Sequence, residues 1–192
     1  TIAEKAVVID FQTAIEHGAV VAFKDALMTP RRLEAIARLS AGNVEWSACT
    51  KLHRRLDAPF LQNLADGGCR TLEVGLETLT DAGQLLLDKK QSLDLLVALL
   101  DGAEVAGIAV VVNYMLGLPG VSSAEERAGL GQLQDLLTAR PELAAKIELN
   151  TLQVERRSPL GMHPMAHGIR VVQRWPWSSV VDWRIAGDVA AR

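Results

Sequence analysis

Residues 112–126 read VNYMLGLPGVSSAEE, and how this stretch is read decides the fold. It ends the longest β-branched run in the chain, IAVVVNYML at 108–116, bends at Gly117-Leu118-Pro119-Gly120, and restarts as a helix. Ser123 and Glu126 have the spacing of a capping box for that helix. A continuous apolar strand that feeds a helix is the pattern of a parallel sheet covered by helices. The lone amide of Asn113 then needs a reason, because a buried polar group without a partner costs several kcal/mol.

Working outward, the same unit recurs. Residues 2–17 read as a helix stopped at Gly18, and AVVAF (19–23) is a short strand. Pro30 opens the helix RRLEAIARL, and NVEWSACT (43–50) is the next strand. Asp57 caps APFLQNLAD, Gly67-Gly68 stops it, and RTLEVGLE (70–77) alternates as a strand should. Thr80 caps DAGQLLLDKK, and Ser92 caps LDLLVALLDGAEVA, which ends at Gly107. AKIELNTLQVE (145–155) is the last strand, and the residues from 161 to 192 read as irregular and Trp-rich. The expectation is an α/β chain with about five parallel strands at intervals of about 24 to 40 residues, as βαβ crossovers require. Residues 1–160 form the strand-helix domain and 161–192 an extension.

An open doubly wound sheet and a partial (β/α) TIM-like barrel both satisfy this pattern, and both place chemistry at the carboxyl ends of the strands. Those ends carry Lys24-Asp25, Thr50 to Arg54, Glu77-Thr78, Gly117 to Gly120, and Arg156-Arg157-Ser158. Period two puts Leu72, Val74 and Leu76 under the helices and Glu73, Gly75 and Glu77 on the other face. Asn113 and, on the last strand, Glu148 and Asn150 join that polar face, which therefore holds water or a polar ligand; we read a ligand. Lys51 and Arg54 in KLHRR (51–55) are the candidates for binding an anion or a substrate carboxylate. His53, His163 and His167 lack metal-ligand spacing, Cys49 reads as a small core residue, and Trp175, Trp177 and Trp183 read as a packing cap.

Bulk properties narrow the class. The chain has 192 residues, 49% hydrophobic and 22% charged, with net charge −3. That balance argues against nucleic-acid binding through a basic face, and no apolar run reaches the roughly 18 residues of a membrane span. Two cysteines are too few for a disulfide framework, so a reducing, cytoplasmic setting is expected. The start at Thr1 reads as the interior of a longer protein.

The ordered set of strand-end elements resembles the radical S-adenosylmethionine (SAM) superfamily. It comprises Gly75-Leu76-Glu77, then Lys90-Gln91-Ser92, then Gly117-Leu118-Pro119-Gly120, with VVAFKDALMTPRRLEAIARL upstream and KIELNTLQVERRSPLGMHP downstream. The likeness is greatest to the Fe–S oxidoreductases that often follow a cobalamin-binding domain. The resemblance implies strands 2–6 of a (β/α)6 barrel, SAM, and a [4Fe–4S] cluster at which SAM is cleaved to a 5′-deoxyadenosyl radical that abstracts hydrogen from a small-molecule substrate. It implies that Asp25 lies near the methionine amino group and Glu77 near the ribose. It further implies that Asn113 stands where many relatives have Asp, with Gly117 beside the nucleoside and the backbone from Leu152 to Val154 near adenine. The family's CxxxCxxC loop is absent, so the cluster's ligands, and cobalamin if used, belong to a missing N-terminal segment or another domain. The sheet edge left at 19–23 implies self-association. Two rival readings stand: a different (β/α) barrel using Glu73 or Glu77 for acid/base chemistry, and a degenerate barrel serving as a scaffold.

Overall fold

A computed structural model describes residues 11–89 and 91–186, apart from the side chains of Asp25 and Ala26. The helix expected over 2–17 is therefore described only over 11–17 (α1), and Lys90 lies outside the described residues. The chain forms two compact units.

The first unit comprises Thr1–Glu77, Gln91–Tyr114 and Leu130–Glu148. Its sheet runs in the order of the chain: β1 (Val21–Met28), β2 (Trp46–Thr50), β3 (Cys69–Glu77), β4 (Ala109–Leu116), β5 (Ala145–Thr151). β1 to β4 pair in parallel. The connections are α2 (Pro30–Ser40), α3 (Ala58–Asp66), α4 (Asp81–Leu86), α5 (Leu93–Ala106) and α6 (Ser123–Thr138). Thr29, Asp57, Thr80 and Ser92 each accept a hydrogen bond from a first-turn amide, which satisfies an otherwise orphaned donor. Gly107 ends α5 in the left-handed conformation expected of it.

The alternation read along β3 holds over most of its length. Leu72, Val74 and Leu76 are fully buried, together with Leu61 and Leu64 of α3 and Leu96, Leu99 and Leu100 of α5. Each such side chain contributes about 1.5–3 kcal/mol by leaving water. Gly102 lies where a Cβ would sit 2.7 Å from Leu61, so α5 can pack closely against α3. Phe11, Phe23 and Trp46 pack edge to face, with centroids 6.1 and 6.3 Å apart, and the Trp46 indole donates to the Gly67 carbonyl at 2.7 Å.

The second unit comprises Thr78–Lys90, Met115–Gly129 and Leu149–Arg192. It thus takes in two connecting segments that the division at residue 160 had assigned to the first domain. The final strand of the sequence reading is two elements, β5 and β6 (Val154–Glu155). The tail read as irregular contains α7 (Pro159–Met162), a short 3-10 turn (Pro164–His167), β7 (Ile169–Arg174) and β8 (Val180–Ile185). β6, β8 and β7 form a three-stranded sheet with antiparallel pairing. A register break between Val171 and Gln173 interrupts the period of two in β7, which hides the strand from pattern reading. Leu118, Leu152, Val154, Ile169 and Val181 are the buried core of this unit.

The turn after β4 also differs in detail. The reciprocal capping pair is Ser122 and Glu125, not Ser123 and Glu126: Ser122 Oγ accepts from the Glu125 amide at 3.2 Å, and Glu125 Oε2 from the Ser122 amide at 2.8 Å. The Ser122 hydroxyl, which donates to Glu125 Oε2 at 2.6 Å, and then the Ser122 amide hold the Glu125 carboxyl below the usual carboxylate range. Glu126 instead reaches back to the amides of Gly117 at 2.6 Å and Leu118 at 3.2 Å.

Candidate functional site

The polar face of the first unit's sheet is built by three adjacent strands and β4. Lys24 of β1 donates from Nζ to Glu73 Oε2 of β3, reaching across the small side chains of β2. Neighbouring strands stand about 4.8 Å apart, so only a long side chain can bridge β1 to β3. From the other side Asn113 Nδ2 of β4 donates to Glu73 Oε1 at 2.9 Å. Gly75 and Asn113 are register partners, so the two strands bring the amide beside the carboxylate one pleat away. Asn113 thus has its reason: it is a hydrogen-bonding partner of Glu73.

The electrostatics follow from this arrangement. The Lys24 ammonium, then the Asn113 amide, hold the Glu73 carboxyl below the usual carboxylate range, against the opposing effect of burial. The same hydrogen bond to Glu73 raises Lys24. Cys49 of β2 stands beside them; burial, then the Glu73 charge, pushes its thiol up. At neutral pH the cluster is therefore carboxylate, ammonium and protonated thiol, which disfavours Cys49 as a nucleophile. Lys24, Ser47, Ala48, Thr71, Glu73 and Val111 line a cavity of about 100 Å³. That is room for a few waters or one small polar group. Two Lys24 N–H donors and the Ser47 and Thr71 hydroxyls are the groups available to a ligand there.

The structure separates the remaining candidates. Glu77 ends β3 with φ +67°, and a register break between Gly75 and Glu77 aligns it with Tyr114 where unbroken register would give Met115. The face of Glu73 and Asn113 therefore does not extend to Glu77, and a left-handed non-glycine residue at a strand end marks a tightly constrained position. Asp25 lies in β1, but its side chain is outside the described residues. Lys51 and Arg54 are exposed beyond β2, with no ion-pair partner among the described residues, while Arg55 is taken by Glu34 at 3.6 Å. Glu148 and Asn150 are exposed on β5.

In the second unit the amide of Gly117 is occupied by Glu126, so a ligand at this turn would meet only its carbonyl and open Cα side. Leu152 and Val154 are buried core residues, and the Leu152 carbonyl accepts the Trp183 indole at 3.1 Å. Leu152 also lines a groove of about 310 Å³ with Gln153, Val180, Val181, Asp182 and Trp183.

No group of three or more His, Cys, Asp or Glu side chains suited to a metal ion occurs among the described residues. Cys69 is buried, with its thiol pushed up to about 12 by desolvation, which does not suit the thiolate an iron–sulfur cluster needs. No described helix is long and apolar enough to cross a membrane.

Sequence reasoning had placed Glu73 on the right face but had not joined it to Lys24. The signal available was a lysine ending the apolar run AVVAFK, whose long side chain can reach a carboxylate across the sheet.

Comparison with solved structures finds the same fold in radical SAM enzymes. The radical SAM methyltransferase TsrM from Kitasatospora setae, with cobalamin and a [4Fe–4S] cluster bound, matches 89% of this chain at TM-score 0.67 and 16% identity. TsrM with its tryptophan substrate and a SAM analogue matches 76% at TM-score 0.60 and 16% identity. Coproporphyrinogen III oxidase (HemN) from Escherichia coli, also a radical SAM enzyme, matches 78% at TM-score 0.53 and 15% identity. The chain spans 36%, 30% and 37% of those three proteins. No family model and no curated protein matches the sequence.

Proposed function

We propose that this chain is the cluster-free portion of a radical SAM Fe–S oxidoreductase whose sheet helps to bind SAM and a small-molecule substrate. The observation that carries the reading is the ordered parallel sheet: it aligns with radical SAM structures over most of this chain and gathers Lys24, Glu73 and Asn113 on one polar face. A [4Fe–4S] cluster bound in the intact protein would supply the electron for reductive cleavage of SAM. The described residues offer that cluster no ligand set, so its ligands belong to another segment, as does any cobalamin. The role left to this chain is to bind and orient. Glu73, ionised and held from both sides, accepts hydrogen bonds; Lys24 offers donors to an anion; Lys51 and Arg54 sit where a substrate carboxylate could reach them. Asp25, Glu77, Asn113, Gly117, Leu152 and Val154 remain the positions at which SAM contact is proposed.

The acid/base reading is less favoured. A general acid needs a raised pKa, and Glu73 is lowered by Lys24. The test is equilibrium binding of SAM to the full-length protein after anaerobic cluster reconstitution, read by the change in the cluster's absorbance. A cluster that forms and responds to SAM supports the proposal. A full-length protein without a cluster, or one indifferent to SAM, removes it in favour of a scaffold.

A further inference from the structure

The exposed side of the β6–β8–β7 sheet carries a pattern that SAM chemistry does not use. Arg170 of β7 and Arg184 of β8 are direct register partners, and both are exposed. Neither has a carboxylate partner among the described residues. Like charges directly opposite on an antiparallel pair are unfavourable unless something negative lies between them. Further along the same face Gln173 opposes Asp182, and Asp182 Oδ2 accepts the Trp175 indole at 2.9 Å. Trp175 and Trp177 are 40% and 79% exposed, with ring centroids 5.3 Å apart and planes tilted by 31°. Beside this turn Arg156 donates to the Trp175 carbonyl, while its Nε is buried with no partner among the described residues. Residues 149–186 hold five arginines against two carboxylates, in a chain whose net charge is −3.

We propose that this face binds single-stranded nucleic acid, with phosphates on Arg170 and Arg184 and bases stacked on Trp175 and Trp177. Arginine's planar fork matches phosphate oxygens in a bidentate manner, and an exposed indole is a stacking platform for any base. From Arg170 to Trp175 the chain advances about 16 Å in strand geometry, a span that calls for several linked nucleotides and not one. The negative net charge of the whole chain argued against a basic face; the structure nonetheless pairs Arg170 with Arg184 on the exposed side of one sheet of the second unit, whose strands carry Arg170, Arg174 and Arg184 against Glu155 and Asp182. An acidic peptide would satisfy the arginines but leave the indole faces bare, so it is the competing outcome.

The test uses the full 192-residue chain, short oligo(U) and oligo(dT), uridine monophosphate and polyglutamate, at low salt, with intrinsic tryptophan fluorescence and oligonucleotide anisotropy as readouts. Saturable oligonucleotide binding that quenches the tryptophans is expected, with a slope of log K against log salt near −1.4, about −0.7 for each of two phosphates. The double variant Arg170→Glu, Arg184→Glu should flatten that slope and weaken binding at least tenfold. Trp177→Ala should weaken it by about tenfold, in line with the loss of one stacked base. Trp177→Phe keeps a stacking face and should recover most of the affinity, which separates recognition from damage to the fold. No binding, binding indifferent to the charge reversal, equal competition by polyglutamate, or equal affinity for the mononucleotide would each overturn the proposal. None of these results bears on SAM binding.

Discussion

The Lys24–Glu73 pair gives the sharpest test of the polar face. Glu73 keeps 19% of its side-chain exposure and Lys24 62%, so the pair is neither dry nor fully solvated. Fully exposed ion pairs contribute about 0.2–1 kcal/mol, and hydrogen bonds to charged groups about 1.5–3. Discounting for the wet ammonium, a double-mutant cycle of Lys24→Met with Glu73→Gln should give a coupling of about 1 kcal/mol at neutral pH. Glu73→Ala should cost about 2 kcal/mol, because it also strands the Asn113 donor, whereas Glu73→Gln leaves that donor an acceptor. The sign of the pH dependence follows from the shifts. Glu73 is lowered in the fold, so its contribution is present above the ordinary carboxylate range and lost as pH falls through its folded value. Lys24 is raised, so its contribution is full below the ordinary lysine range and lost as pH rises through its folded value. The coupling should therefore be flat from about pH 5 to 10 and fade at both ends. Urea unfolding of the four proteins across pH measures it. A coupling below about 0.3 kcal/mol, or one that survives deep acid, would show that the two charges do not hold each other.

Three further outcomes follow from the packing. Tyr114 is fully buried, and its hydroxyl has no partner among the described residues, so Tyr114→Phe should leave stability unchanged or raise it by about 1 kcal/mol. A clear fall in the thermal midpoint would reveal a hidden partner. Gly68 has φ +91°, and a Cβ there would stand 2.1 Å from the Val44 carbonyl oxygen; Gly68→Ala should cost several kcal/mol and a correspondingly lower urea midpoint. If the variant unfolds with the parent, the close approach of the α3–β3 turn to the β2 entry is not as described. β1 has a hydrogen-bonded neighbour on one side only among the described residues, with Leu27 exposed nearby, so the isolated chain should self-associate at micromolar concentration. A single monomeric boundary in sedimentation velocity contradicts this.

Much of the parallel sheet was legible because each strand and its helix carry their own signals. Pro30 announces one helix start by its fixed φ, Asp57, Thr80 and Ser92 announce three more through local hydrogen bonds, and Leu72, Val74 and Leu76 announce the helix-covered face through period two. Near neighbours in sequence decide such features. The antiparallel hairpin was less legible, because the break at Val172 and the Trp-Pro-Trp turn hide its alternation.

The sequence by itself determined the order of elements in the parallel sheet, the caps of α3, α4 and α5, and the presence of carboxylate and amide on one sheet face. It could not determine which partner each of those groups takes. Lys24 and Glu73 lie 49 residues apart, and Glu73 and Asn113 lie 40 apart. Such pairs meet only when parallel strands have been aligned in register, and a bulge of one residue sent Glu77 elsewhere. Register is a property of packed strands, so tertiary structure alone decided that Asn113 serves Glu73, that Glu126 closes the Gly117 turn, and that Arg170 and Arg184 face each other.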